Sequence, residues 1–299
     1  MHIPSEMLNG AVCPVSAVLA LAGVSAAAYA LVSGKAKAPS ASRFALTSAA
    51  VFGLQMLNYP VADGISGHLI GGLFASAMLG VPAGVLSVSL VLLIQTLLFA
   101  DGGILMLGAN IVNMALLGSG LAGLIYQVLQ KRRVKPLSGA FVAGACSVMA
   151  AALALSAELT ASGKGSAGVV GTLLGVHGVL ALVEGVATVG LLASVRDWKD
   201  AGSLSVRTLY ALTGMIAVSL AVAPFASAFP DAFEWTMERF SLLPDAPDFV
   251  RAPFSGYALS GVANEALSAS VAGMIGVAAS ALLAFALMRP LEKRSVAEA

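Results

Sequence analysis

Apolar residues fall in long blocks with short polar breaks between them. Nine blocks are evident, at about 11–33, 44–60, 68–82, 83–100, 104–130, 137–157, 168–195, 205–226 and 262–288. Most approach or exceed the roughly 20 residues that an α-helix needs to cross a bilayer. None shows the short alternating segments of a membrane β-barrel. The pattern predicts an all-α integral membrane protein with about nine transmembrane helices. The third block is short and rich in glycine. It meets the fourth at Pro82 almost without a loop, so this pair is expected as a tight hairpin or a broken helix.

Composition agrees. Of 299 residues 59% are hydrophobic and 10% charged, where a soluble domain carries about 25% charged residues. Mean hydropathy is +0.93. A net charge of +1 without a large basic patch gives no reason to expect nucleic acid as a partner. The chain lacks a GxxxxGK[ST] phosphate loop, so any ATP-driven step needs other subunits. Cys13 and Cys146 sit inside apolar runs without a CxxC partner and are expected to pack between helices. Residues 1–10 carry no Lys or Arg, and the apolar block after them is long for a signal sequence. It is expected as a retained helix with the N-terminus preserved. His2 is too bulky for ordinary removal of the initiator methionine, so Met1 is expected to stay.

Charge sets an orientation. With the N-terminus outside and the connections alternating, 13 cations fall inside, among them Lys35, Lys37, Arg43, Lys131, Arg132, Arg196, Lys199 and Arg289. Three fall outside, Lys164, Arg239 and Arg251. This is a strong positive-inside bias. It puts the N-terminus and the 61–68 connection on the extracytoplasmic side and the C-terminus in the cytoplasm. Residues 1–200 form seven spans with short connections. Residues 201–299 form two spans flanking an acidic, aromatic outside loop at 227–261, with room for a short amphipathic helix around 231–241. No internal repeat supports an inverted-repeat transporter.

The candidate chemistry begins at "MHIP". A free α-amine has a pKa near 8, so a metal can displace its proton at neutral pH. A strongly binding metal can also deprotonate the next backbone amide. The His2 imidazole then closes a second chelate ring through Nδ1, giving three nitrogens in nearly one plane. A fourth nitrogen completes a square, the geometry of Ni(II) and Cu(II). His68, in "DGISGHLIGG" on the same side of the membrane, is the natural fourth ligand.

"MHIP" at 1–4, "DGISGHLIGG" at 63–72, "QTLLFADGGILMLGANIVNMALLG" at 95–118 and "HGVLALVEG" at 177–185 together resemble the CbiM/NikM family. These are the nickel/cobalt substrate-binding (S) subunits of energy-coupling factor (ECF) transporters. The resemblance covers about residues 1–200. It implies a seven-helix S subunit whose N-terminus dips into the core. It also implies nitrogen coordination by the Met1 amine, the His2 amide and imidazole, and His68. "PDAFEW" at 230–235 is similar to the PDGLE-like stretch of the NikN-type extension, with Ala232 and Phe233 departing from it. A fused NikMN-type chain is implied, transporting Ni(II) or Co(II) with separate ATPase subunits and a transmembrane coupling (T) subunit as partners. The extension goes with nickel more often than cobalt.

Gln95, Asp101, Asn110 and Asn113 fall in the third motif, and polar groups at membrane depth face the bundle interior and find partners. They are candidates to orient the N-terminal segment, or to hydrogen-bond one helix to another. Asp101-Gly102-Gly103 is expected as an outside turn. His177 and Glu184, two turns apart on one helix face, are candidates for a buried packing hydrogen bond, for support of the ligands or for ligation. The enzyme alternative is a b-type haem membrane oxidoreductase subunit with His68 and His177 as axial ligands. A passive channel or scaffold is a third reading.

Overall fold

The computed structural model describes residues 1–195, 204–243 and 252–297. Arg196, Lys199, Arg251 and the expected boundary at 200/201 lie outside them. Ten helices are seen among the described residues: α1 (Val12–Val32), α2 (Ala41–Gln55), α3 (Gly72–Leu79), α4 (Val81–Phe99), α5 (Ile104–Lys131), α6 (Pro136–Ala161), α7 (Ala167–Ser194), α8 (Val206–Phe225), α9 (Ala232–Arg239) and α10 (Glu265–Ala297). The molecule is an all-α membrane protein. Among the described residues, seven helices are long and apolar enough to cross a membrane. Of the nine expected spans, α2 and α3 fall short. At 15 and 8 residues, with a rise of 1.5 Å each, they reach roughly 22 and 12 Å.

The shortfall comes from a two-stranded antiparallel hairpin, β1 (Tyr59–Ala62) and β2 (Ile65–Gly67), not foreseen in the apolar pattern. Asp63-Gly64 turns it, with Gly64 at φ +72°, a conformation that Asp-Gly pairs supply cheaply. The hairpin takes Tyr59 and Pro60 from the second block, and the third block gives up residues 68–71 to the loop that follows β2. β2 also bridges in parallel to the segment before α9: Ser66 N–H donates to Pro230 O (2.9 Å) and its hydroxyl to Phe229 O (2.7 Å). The expected break between the third and fourth blocks is real, but it falls at Gly80 (φ +83°), one residue after α3 and two before Pro82.

Helix α2 is the hub. It is buried along almost its whole length, and α3, α4, α8 and α10 pack around it. The last helix pair thus embraces the first part of the chain. Arg43, counted above among the cytoplasmic cations, is fully buried in α2. Its Nε–H donates to Met78 O (2.9 Å), satisfying a carbonyl at the end of α3. The middle of α5, Ile111–Leu121, is π-helical. There α3 comes so close that a Cβ on Gly72 would stand 2.2 Å from Gly118 O. Wider π turns and a missing side chain together allow that approach. The two cysteines are free.

Candidate metal centre

The N-terminal arm is buried, with Met1 6%, His2 7% and Ile3 0% exposed. Main-chain groups hold it. Ile3 N–H donates to Asn110 Oδ1 (2.9 Å), and Ile3 O accepts from Gly103 N–H (2.9 Å). A Cβ on Gly103 would lie 2.5 Å from Ser5 N, and Gly102 sits at φ +88°. The Asp101-Gly102-Gly103 turn is therefore a cradle in which the arm lies against bare backbone.

His68 follows β2 directly. Two neighbours brace its loop: Glu184 accepts the N–H of Ile70 and of Gly71 (both 2.9 Å), and Gln55 donates to Ile70 O (2.7 Å). Nδ1–H of His68 donates to Leu69 O (3.1 Å), which leaves the lone pair on Nε2. That nitrogen stands 2.9 Å from the Met1 amine. The His2 and His68 rings stack, with centroids 5.0 Å apart and planes at 27°. The amine, the His2 ring and His68 Nε2 thus converge as the opening residues of the chain suggest.

Asp231 stands over them. Its Oδ1 caps α9 by accepting from Phe233 N–H (2.8 Å) and Glu234 N–H (2.9 Å). Glu234 returns a capping-box bond. Its Oδ2 pairs with the Met1 ammonium and lies 3.8 Å from His68 Nε2. Burial would raise this carboxyl, but the ammonium and His68 beside it hold it below the usual carboxylate range. Burial pushes both imidazoles below their ordinary value. For His2, Asp101 offsets part of that; for His68, the neighbouring ammonium adds to it.

The His2 ring is gripped at both nitrogens. Nδ1 is 3.1 Å from Asp101 Oδ1 and Nε2 is 3.1 Å from Gln95 Oε1. Tyr257, in a 3₁₀ turn at Ser255–Tyr257, donates its hydroxyl to Asp101 Oδ2 (2.6 Å) and accepts from Gln95 Nε2 (3.4 Å). A cavity of about 230 Å³ reaches His2, His68, Asp101, Asp231 and Glu234.

Among the expected supporting residues, Gln95 and Asn110 do touch the arm. Asn113 does not: its amide donates to Glu158 Oε2 (2.7 Å), tying α5 to α6. His177 and Glu184 do not pair either. Glu184 directs both oxygens at the His68 loop, and His177 Nδ1–H bonds Leu173 O in its own helix (2.8 Å). Asp101, weighed with them and also read as a turn, grips the His2 ring, while Asp231 and Tyr257 are not foreseen as site residues. "PDAFEW" carries a signal for Asp231, since an acid before Phe-Glu reads as a helix cap; nothing local marks Tyr257. Among the described residues no three His, Cys, Asp or Glu side chains group to hold a metal by themselves.

A family described as the cobalt uptake substrate-specific transmembrane region matches residues 2–201. A putative fused nickel transport protein of Archaeoglobus fulgidus is 36% identical over 198 residues, 65% of each chain. A cobalt transport protein of Lachnoclostridium phytofermentans is 31% identical over 170 residues, 54% of this chain and 68% of that one. A solved structure of a truncated transition metal transporter superposes with a TM-score of 0.56 at 29% identity, covering 66% of this chain and 99% of the other. The chain spans a little under two thirds of the archaeal relative's length.

Proposed function

The chain belongs to the family of the cobalt uptake substrate-specific transmembrane region, and from that premise we propose that it is the metal-capturing S subunit of an ECF importer for Ni(II) or Co(II). As a family member it is a membrane component of metal uptake. The finer reading is that the Met1 amine, the deprotonated His2 amide, His2 Nδ1 and His68 Nε2 form a four-nitrogen chelate. The observation that carries it is the convergence of the amine on His68 Nε2 at 2.9 Å with the His2 ring stacked alongside. Loading releases a proton from the amine and one from the amide, and the ion takes their place. Asp231 and Asp101 then supply negative charge beside a cationic complex. The ion is substrate and leaves on the other side.

In this reading residues 1–200 hold the ion, and 201–299 form an extension whose outer loop reaches the site. The N-terminus faces outward. ATPase subunits and a T subunit supply the energy. The haem alternative is disfavoured because His68 Nε2 already faces the amine, while His177 lies against its own helix.

The test is metal analysis with an optical spectrum on purified protein. The expected product is a yellow, diamagnetic, square-planar Ni(II) complex that zinc displaces poorly. Paramagnetic six-coordinate nickel, or equal binding of zinc and nickel, would refute the chelate.

A further inference from the structure

The cavity of about 230 Å³ beside the His2 and His68 rings is built by two distant parts of the chain. Gln55 and Asp101 come from the first part, Asp231, Glu234 and Tyr257 from the last. Its charge has one sign. Three carboxylates line it, those of Asp101, Asp231 and Glu234, and no Lys or Arg is among the lining residues. Glu234 is exposed and Asp231 is buried, so acidic groups run from solvent to the interior. The Met1 ammonium balances only one of them, through its pairing with Asp231. Apolar walls from Met56 and Phe99 stand between these groups and concentrate their field.

A second observation does not depend on charge. Gln55, another lining residue, is 2% exposed. Its NH₂ donates to Ile70 O (2.7 Å), which fixes the amide. The oxygen left over, Oε1, is buried with no hydrogen-bond partner among the described residues. A buried acceptor is unfavourable until a donor meets it. The Tyr257 hydroxyl commits its proton to Asp101 (2.6 Å) and cannot serve. A surface of carboxylates and an orphan carbonyl calls for a ligand that carries positive charge and donates outward in several directions. The water shell of a divalent cation does both, because each bound water turns its hydrogens away from the ion and donates more strongly for the charge behind it. Size agrees. At roughly 30 Å³ per water, a hexaaqua shell needs about 180 Å³, so about 230 Å³ holds one such ion and not two.

We propose that this cavity is an antechamber, which takes the divalent cation with its water shell intact and holds it through its aqua ligands on Glu234, Asp231, Asp101 and Gln55 Oε1 before the ion reaches the nitrogens. The step that follows rests on the chelate reading: each nitrogen that binds displaces one water into the cavity. Loading then has two stages, capture of the hydrated ion and slower loss of its water. Two of the three acids come from α9 and its cap, so the C-terminal part governs how fast the ion arrives.

The probe is cobalt(III) hexaammine, an octahedral cation close in size to an aqua ion. Its ammine ligands donate N–H outward and do not exchange, so it can occupy the antechamber but cannot pass to the nitrogens. Equilibrium dialysis against metal-free protein in detergent should show it bound. In stopped-flow absorbance it should slow nickel loading competitively, without altering the spectrum of the loaded protein. Without it, the loading rate should level off as nickel rises. Glu234→Gln keeps an oxygen for the capping box. It should weaken hexaammine binding and slow loading by about 3–10-fold at low salt, with the difference shrinking as salt is added. Glu238→Gln, exposed on the same helix but outside the cavity lining, should do neither. Three results would overturn the proposal: hexaammine that fails to bind or to slow loading, a rate that keeps rising in proportion to nickel, or equal effects at positions 234 and 238. Dialysis of the hexaammine needs no nitrogen ligand. If it binds as expected while nickel fails to give the square-planar spectrum, the antechamber stands and the chelate falls.

Discussion

At the scale of single residues, the site divides into groups that would touch the ion and groups that hold them. In the proposed chelate, His68→Ala removes a ligand. It is expected to weaken nickel binding by more than the roughly 10–100-fold typical of a lost supporting contact, whereas His177→Ala, whose ring bonds only its own helix, should do much less. Competition against a coloured chelator measures both, and equal losses would contradict the assignment. Asp231 has two separable roles. Asp231→Asn keeps a capping oxygen for α9 but removes the charge facing the ammonium. Asp231→Ala also removes the cap, at about 0.5–2 kcal/mol. Thermal melting should therefore fall further for Ala than for Asn, while both disturb metal loading. Burial lowers both site imidazoles, so near neutral pH they are already uncharged. The protons that compete with metal are those of the amine and amide, and affinity should keep climbing from pH 7 to 8. A histidine with a lowered folded value stabilises the fold above its unfolded pKa of about 6.5. That contribution drains away as pH falls, so melting temperature should drop on acidification below that value.

Among the elements, the apolar blocks were legible because crossing a bilayer demands long uninterrupted hydrophobic runs. The convergence of His2 and His68 could be anticipated from "MHIP" and "DGISGHLIGG". What the pattern hid was short structure inside the blocks. The hairpin at 59–67 lies mostly in what reads as a plain connection at 61–68, although Asp63-Gly64 is a turn signal. Asn113 and Asn110 stand three residues apart on one helix, yet only Asn110 meets the arm, a distinction set by the rotation of α5. Residues 231 and 257 were hidden because their partners are at positions 1 and 101. The cradle makes a clean test at this level. Gly103→Ala puts a Cβ 2.5 Å from Ser5 N and should displace the arm while leaving the helices packed. The expected outcome is lost nickel binding with an unchanged far-ultraviolet circular dichroism spectrum; retained binding would mean that the arm has another seat.

For the whole molecule, the proposed orientation predicts that a cysteine placed at Gly64 reacts with a membrane-impermeant maleimide from outside, and one at Arg133 only after permeabilisation. The reverse labelling would turn the protein over. One extra residue before Met1 should abolish tight binding, because the amine would no longer adjoin the His2 amide; isothermal titration of a tagged and a cleaved sample decides this. The contact between Met1 and Asp231 has a further consequence, for timing. It joins positions 230 apart in sequence. At synthesis rates of about 5–20 residues per second, the first residue waits roughly 12–46 seconds before its carboxylate partner exists. During that interval the growing chain holds an amine and two imidazoles without their finished surroundings. On the proposed reading, competence to hold an ion is therefore among the last properties that biosynthesis confers on this chain, although the residues assigned to it are among the first to be made.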